Sequence, residues 1–189
     1  RNSNPEPNDL DELGAIGRQS AGGLEVVLLE DRQPVDERAA ERASLVFAVT
    51  EAQRADEAGS IYHHGFSGFE HLAEDIEAGA VVSDRSLAYT IRVLLDARTA
   101  AAQYVREISE SYAGKTADHL VAASGSYDRE VEQLDKLTQM FPYRGRRAAD
   151  ISTPQVAKEA AAIVREALRW ERQGVESLAQ ALATMPGLL

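Results

Sequence analysis

Three long amphipathic segments constrain what this chain can fold into more than any other feature of its sequence. In residues 84–113, 117–141 and 153–184, apolar side chains recur alternately four and three positions apart, which places them in one stripe along one face of a helix. Helices of this length extend about 40 Å, at about 1.5 Å per residue, and short connections between them favour antiparallel neighbours. We therefore predict an all-α fold, an antiparallel bundle of four to five helices with three long helices.

Two shorter helices complete the predicted bundle. The first is expected over residues 36–57, because apolar residues recur there at helical spacing and Gly59 then ends the pattern. The second is expected over residues 68–78, where Ser67, followed three residues later by Glu70, matches a capping box. The helical bundle domain is thus predicted to span residues 35–189.

The N-terminal part of the chain has a different composition. Residues 1–23 are rich in Asn, Pro, Asp and Gly and bury too little apolar surface to offset their ordering entropy, whereas residues 24–30 form a short apolar run typical of a strand. We predict that residues 1–34 form an irregular segment with at most one short strand. Because the chain begins with Arg1 rather than Met, we expect it to be a processed or truncated piece of a longer protein.

Charge and cysteine content exclude several classes of function. The 189 residues include 31 acidic and 20 basic side chains, for a formal net charge of −11, and no cysteine. Without cysteine the chain can form no disulfide, no thiolate metal site and no cysteine nucleophile. An acidic surface repels phosphates and anionic headgroups, so we predict no nucleic acid and no membrane as a partner. The absence of cysteine leads us to expect a cytoplasmic location. No apolar run reaches the roughly 20 residues of a membrane-spanning helix.

Two charged residues interrupt the apolar seams of the long helices. Arg98 is the single charged residue in its seam, and Glu171 is the single charged residue in another. A lone charge in a bundle core is costly unless it is paired or hydrogen-bonded. We predict that Arg98 and Glu171 meet as a structural core pair that fixes helix register, or that each finds a local partner. The alternative is that each side chain extends its charged end to solvent.

The spacing of the histidines argues against a metal-binding bundle. Di-iron and di-manganese bundles need Glu-x-x-His on two helices, and none of the four histidines has a glutamate three positions before it. His64 and His71 are also too far apart for the i, i+4 pair of a helical zinc site. We predict no metal site, no cofactor and no recognisable catalytic residue in this chain.

The segment YHHGFSGFEH, residues 62–71, concentrates aromatic rings and histidines beside a helix start. One interpretation is a small-molecule pocket between this segment and the long helices. The alternative is an aromatic staple that joins two helices, as core statistics favour. On the first interpretation the predicted ligand-binding residues are Tyr62, His63, His64, Phe66, His71, Tyr104 and Tyr127.

The order of segments along residues 24–189 resembles a known family. The segments are LEVVLLED, GFSGFEHLAEDIEAG, LAYTIRVLLDARTAAAQYVREI, HLVAASGSYDREVEQLDKLTQMFPY and KEAAAIVREALRWERQGVESLAQAL. Together they resemble the helical C-terminal region of bacterial proteins with a papain-like, C39-peptidase-like N-terminal domain, related to the butirosin biosynthesis H-type acyltransferases. The resemblance rests on pattern and order rather than on a diagnostic motif. In that family an arginine and a glutamate recur at the positions of Arg98 and Glu171.

The resemblance implies a helical accessory and interaction domain of a papain-like acyltransferase or peptidase-like protein. That family's chemistry uses a cysteine nucleophile and a histidine base in the N-terminal domain, so no catalytic residue carries over to a chain without cysteine. The expected partner is the catalytic domain of the same or a companion chain, or a second copy in a homodimer. Whether the chain itself is an enzyme is left open.

Two other functions compete with this implication. The chain could be a stand-alone small-molecule-binding helical bundle, or it could catalyse a reaction through an uncharted carboxylate or histidine site. A reading frame that continues upstream with cysteine and histidine would favour the accessory domain, and a frame that starts near Arg1 would favour the binding module.

Overall fold

The computed structural model describes residues 36–60, 62–81, 84–143 and 149–186, and these residues form five α-helices and no strand. The all-α prediction is confirmed. The strand predicted at 24–30 and the irregular segment predicted over 1–34 lie outside the described residues. None of the described helices is long and apolar enough to cross a membrane. The helices are α1 (Glu37–Ala52), α2 (Gly65–Glu77), α3 (Asp84–Ser109), α4 (Lys115–Met140) and α5 (Pro154–Thr184).

The three long helices pack as antiparallel neighbours, with α4 against both α3 and α5. The hydroxyl of Ser124 on α4 donates to the carbonyl of Ala102 on α3 at 3.1 Å. At the end of the bundle, the hydroxyl of Thr116 in the first turn of α4 donates to that of Thr184 in the last turn of α5, at 3.0 Å. The second contact joins the start of α4 to the end of α5, as expected for the antiparallel neighbours that the short connections predict.

Both short helices pack against α5. Arg42 of α1 donates to the carbonyl of Leu182, near the C-terminal end of α5, at 3.4 Å. Glu70 of α2 forms an ion pair with Arg172, near the middle of α5. The break between α1 and α2 therefore interrupts the bundle part of the way along α5.

Buried apolar side chains form two clusters, one in each half of the bundle. One cluster includes Phe69 and Ile76 of α2, and the other includes Leu45 of α1. On α4, Leu134 belongs to the first cluster and Leu120 to the second. Between them lies a layer of charged residues, which we call the polar layer and define as Arg98, Glu130 and Glu171.

The buried seam of α4 differs from the sequence pattern at three positions. Counted alternately four and three from Leu120, the sequence pattern predicts Ser124, Val131 and Thr138 in the seam. The structure places their preceding neighbours there instead, although Ser124 itself is also buried. The observed seam residues are still spaced alternately three and four apart, because either spacing returns to about the same face of a helix with about 3.6 residues per turn. The observed seam is Leu120, Ala123, Tyr127, Glu130, Leu134, Leu137 and Phe141.

The junction between α1 and α2 depends on Gly65, the first residue of α2. Its φ of 49° lies in the left-handed region that side chains rarely adopt, and a Cβ there would overlap the carbonyl oxygen of Ala52 at the end of α1. Helix α2 begins here, with His64 as its N-cap. The capping box expected at Ser67 and Glu70 therefore does not form the helix start, because the helix begins earlier.

Candidate functional site

The loop between α1 and α2 gathers several polar groups around the carboxylate of Asp56. Its Oδ1 atom accepts the backbone N–H of His64 at 2.8 Å, which satisfies a backbone donor at the start of α2. Its Oδ2 atom accepts the hydroxyl of Ser67 and lies 2.7 Å from Nδ1 of His63. Asp56 thus accepts the N–H of the N-cap residue, whereas the side chain of His64 makes no capping hydrogen bond.

Two imidazole rings stack beside this carboxylate. The ring centroids of His63 and His71 are 3.6 Å apart, with an angle of 27° between the ring planes. Nε2 of His71 lies 4.0 Å from Oδ2 of Asp56, and its Nδ1 lies 3.5 Å from Oε2 of Glu74. We call Asp56, His63 and His71 the imidazole–carboxylate cluster. One possible ligand atom from each of its residues lies within 4.8 Å of the others.

Hydrogen bonding stabilises the ionised form of Asp56. The hydroxyl of Ser67, the ring of His63 and the backbone N–H of His64 together lower the pKa of Asp56 below its ordinary range. The carboxylate therefore keeps its charge under all ordinary conditions. A permanent negative charge beside two imidazoles favours a bound cation at this position.

The polar layer joins the three long helices at mid-height. Nη2 of Arg98 donates to Oε1 of Glu171 at 2.8 Å, and its Nε donates to Oε1 of Glu130 at 3.2 Å. Nε also lies 2.8 Å from Oε2 of Glu171, but it has a single N–H and that hydrogen points toward Glu130. Arg98 and Glu171 therefore meet, and Glu130 is a third partner that the sequence pattern missed.

Burial determines the charge of this layer. The side chain of Glu130 is 0% exposed and that of Glu171 is 4% exposed. Burial, together with the neighbouring charge of Glu171, raises the pKa of Glu130 far above its ordinary value. Burial opposes the charge of Arg98, but the carboxylate of Glu171 favours it, and the pKa of Arg98 is raised. The layer thus holds one arginine cation, one carboxylate and one protonated carboxylic acid.

The proton on Glu130 also explains how two buried carboxyl oxygens can be hydrogen-bonded. Oε2 of Glu130 and Oε2 of Glu171 are buried and accept no hydrogen bond from the described residues. A proton on Glu130 allows it to donate to the carboxylate of Glu171. Tyr127 packs next to the layer, where burial raises the pKa of its phenol above the ordinary value and keeps it neutral. None of the pockets among the described residues is lined by Tyr127 or by a residue of the polar layer. This arrangement fits a structural layer better than a reaction site.

The residues predicted to line a ligand pocket lie in several places. His63, His64 and His71 come together at Asp56, as described. Tyr62 is 71% exposed on the loop beside them, and the ring of Phe66 packs against the apolar cluster of that half of the bundle.

The two tyrosines of that predicted pocket lie in the other half of the bundle. The hydroxyl of Tyr104 lies 2.8 Å from Oγ of Ser44 on the surface, whereas Tyr127 is buried against Gly174. No described pocket is lined by both the loop and either tyrosine.

A cavity of about 580 Å³ opens at the end of the bundle where α1, α3, α4 and α5 meet. Arg38 donates to the carbonyl of Ser111, and its guanidinium lies 4.3 Å from the centre of the Tyr112 ring. The hydroxyl of Tyr112 donates to Glu41 at 2.9 Å. The lining residues are Asp36, Arg38, Arg42, Ser111, Tyr112, Ala113, Thr116, Thr184, Met185 and Pro186.

Helix α1 carries apolar residues on two sides. Leu45 is buried in the core, with Ala48 and Val49 packed against the same cluster. On the opposite side Phe47 is 67% exposed and Val46 is 46% exposed. The outer face of α1, as we call this second side, consists of Ala39, Ala43, Val46, Phe47 and Thr50 together with the stem of Arg42.

Comparisons of the chain with protein-family models, with curated proteins and with solved structures found no match.

Proposed function

We propose that the helical domain is the accessory and interaction region of a papain-like acyltransferase or peptidase-like protein. The observation that carries this proposal is the outer face of α1. A helix with apolar residues on two opposite sides normally has two packing partners, and the described residues supply a partner for only one of them. The order of segments along the chain, which resembles the helical region of papain-like proteins, suggests the second partner.

The catalytic domain of the same or a companion chain is the proposed occupant of this face. Such a domain would supply the cysteine and histidine that acyl transfer needs, because this chain contains no cysteine. Phe47 would be the anchor, since large aromatic side chains dominate the binding energy of interfaces. The polar layer would keep the three long helices in fixed register behind this surface.

The proposal is tested in two stages. The first is to sequence the reading frame upstream of Arg1 and its neighbouring genes for about 100 or more residues, the size of a domain, that contain cysteine and histidine. The second is to measure binding of that domain to the wild-type chain and to Phe47→Asp by calorimetry. We expect Phe47→Asp to abolish binding, because it places a charge in an apolar contact.

Val121→Asp provides the matched control. Val121 is 58% exposed on α4, so the substitution adds the same charge to an apolar surface position on another helix. It should bind as the wild type does. Equal binding by Phe47→Asp and wild type, or a frame and neighbourhood without such a domain, would contradict the proposal.

A stand-alone small-molecule-binding bundle is the second candidate, and the end cavity favours it. A volume of about 580 Å³ falls within the range of ligand pockets, roughly 300–1,000 Å³, and two arginines line the cavity. Small carboxylates would suit such a lining, because guanidinium groups bind them through paired hydrogen bonds. The test is calorimetric titration with a series of mono- and dicarboxylates. Arg42→Ala should lose the binding, and the exposed Arg92→Ala on α3 should keep it.

A further inference from the structure

We propose that Asp56, His63 and His71 form a binding site for a divalent first-row transition metal such as zinc. This site is independent of the accessory role proposed above. It depends on three ligand atoms that the fold brings together from a loop and a helix. Asp56 and His63 belong to the connection between α1 and α2, and His71 projects from the second turn of α2.

The distances between the ligand atoms suit a metal ion. Ligands about 2.0–2.1 Å from a tetrahedral zinc ion lie about 3.3 Å from one another. Oδ2 of Asp56 is 2.7 Å from Nδ1 of His63 and 4.0 Å from Nε2 of His71, so the two distances bracket that value. The two partly exposed imidazoles would rotate out of their stacked arrangement to bring both distances to it.

A second carboxylate lies beside one of the imidazoles. Nδ1 of His71 lies 3.5 Å from Oε2 of Glu74, one turn further along α2. With a metal ion on Nε2, the ring proton would lie on Nδ1, and a slight approach of the exposed Glu74 side chain would let it accept that proton in a hydrogen bond. Histidine ligands of metals usually donate their other ring N–H to a carboxylate or carbonyl in this way. Ser67 orients Asp56 in a similar way, since its hydroxyl donates to the carboxylate.

The donor set determines which cations would bind. Two imidazole nitrogens and one carboxylate oxygen suit zinc, iron, cobalt, nickel or copper, whereas calcium and magnesium prefer oxygen ligands alone. Nδ1 of His63 donates to the Asp56 carboxylate in the present structure. A metal ion would take that position on Nδ1, and the neutral ring would carry its proton on Nε2 instead. Because protons compete with the metal for the ring nitrogens, binding weakens as the pH falls.

The proposed metal site is open to solvent, so a bound ion could exchange. The side chains of Asp56, His63 and His71 are 22%, 33% and 43% exposed, so an ion can reach them from solvent. Three protein ligands leave a fourth tetrahedral position for water or another small ligand. The chain thus offers an open metal site rather than a closed structural one.

Calorimetric titration of zinc into the full chain, made without a polyhistidine tag and stripped with a chelator, tests this proposal. We expect one zinc ion per chain, and a thermal unfolding midpoint that rises with zinc concentration. Substitution of cobalt for zinc should give the visible absorption of a four-coordinate site, and X-ray absorption should show zinc to nitrogen distances of about 2.0–2.1 Å.

Three variants separate this site from adventitious binding. His71→Ala should abolish binding, and Glu74→Gln, at an exposed position where folding is not at risk, should weaken it about 10- to 100-fold. His119→Ala, on α4 and outside the cluster, should bind as the wild type does. Absence of zinc binding by the wild type, equal affinity in His71→Ala, unchanged affinity in Glu74→Gln, or loss of binding in His119→Ala would each overturn the proposal.

Discussion

Nη2 of Arg98 lies 2.8 Å from Oε1 of Glu171, which joins the middle of α3 to the middle of α5. Glu130, on the helix between them, is fully buried and accepts from the same guanidinium at 3.2 Å. One cation thus faces two buried carboxyl groups. Two negative charges would exceed the single positive charge of Arg98, so Glu130 holds a proton, and the charge of the layer balances.

Stability should therefore fall as the pH rises, because of Glu130. Its pKa is raised in the folded protein, whereas in the unfolded chain it ionises near pH 4.3. Between these two values the folded state binds more protons, so the free energy of unfolding decreases with pH, by up to about 1.4 kcal/mol per pH unit from this group. Glu130→Gln should remove that slope, because the amide is neutral at every pH and can still donate to Glu171.

Urea unfolding of the wild type and of Glu130→Gln between pH 5 and pH 8 measures this difference. The variant should be the more stable protein at the upper end of the range. Parallel curves for the two proteins would mean that Glu130 is ionised in the folded state.

Arg98→Leu should be strongly destabilising. It leaves Glu171 buried without its cation, and removing one partner of a buried ion pair costs about 3 to 5 kcal/mol. Arg106→Leu is the matched control on the same helix, since Arg106 pairs with Asp128 at the surface, where both side chains are about half exposed. Its loss should stay below about 1 kcal/mol. Denaturant unfolding at pH 7 gives both losses of unfolding free energy. Equal losses would show that the polar layer contributes no more to stability than an exposed ion pair.

Gly65→Ala should disturb the junction between α1 and α2. The substitution forces a side chain into the left-handed region, at a cost of about 1–3 kcal/mol, and its methyl group overlaps the backbone of Ala52. Gly79→Ala has the same backbone strain, with φ of 70°, but no atom within 4 Å of the new methyl group. The difference in unfolding free energy between the two variants therefore measures the close approach at Ala52. Equal unfolding free energies for the two variants would mean that α1 and α2 can move apart at Gly65 without loss of stability.

Asp56→Asn should loosen the start of α2. Ionised Asp56 accepts from His64, Ser67 and His63, and an amide side chain offers one acceptor oxygen in place of two. We expect faster amide hydrogen exchange at His64, while exchange in the middle of α4 stays as in the wild type. Unchanged exchange at His64 would show that its amide is protected by something other than Asp56.

The same carboxylate predicts behaviour in acid. Because the pKa of Asp56 is lowered in the folded protein, its contribution to stability is present above the ordinary value of about 3.9 and is lost as the pH falls below it. Carbon-detected NMR titration of the Asp56 carboxyl should give a midpoint below 3.9. A midpoint at or above that value would contradict the hydrogen-bond geometry.

Much of the helical architecture follows from the sequence. For the last helix the sequence predicts Thr153 as N-cap, Pro154 as the first helical residue and an end at about Thr184. The structure has the same N-cap and a helix from Pro154 to Thr184, because a proline at the first position and the end of the seam mark its boundaries. The end of α1 was less predictable. The helical pattern in the sequence continues to residue 57, but α1 ends at Ala52. Beyond Ala52 the chain turns and brings Asp56 against the start of α2.

The same distinction holds for the charged residues. Arg98 and Glu171 stand out in the sequence because each interrupts an apolar seam, but Glu130 follows a charged neighbour, Arg129, and precedes Val131, which fits the seam equally well. A rotation of the helix by one residue determines which of Glu130 and Val131 is buried. That rotation depends on packing against α3 and α5, so periodicity within α4 does not determine it.

The sequence by itself determined the class of fold, the three long seams and the two charged residues within them, because these depend on local periodicity. Only the tertiary structure decided which carboxylates share Arg98 and that Asp56 meets His63 and His71. Asp56 comes 7 residues before His63, and His71 lies one helix turn beyond Ser67. No periodic pattern links positions in a loop to positions on a helix. Their meeting depends on the close contact of Gly65 with the end of α1, which is a property of the folded backbone.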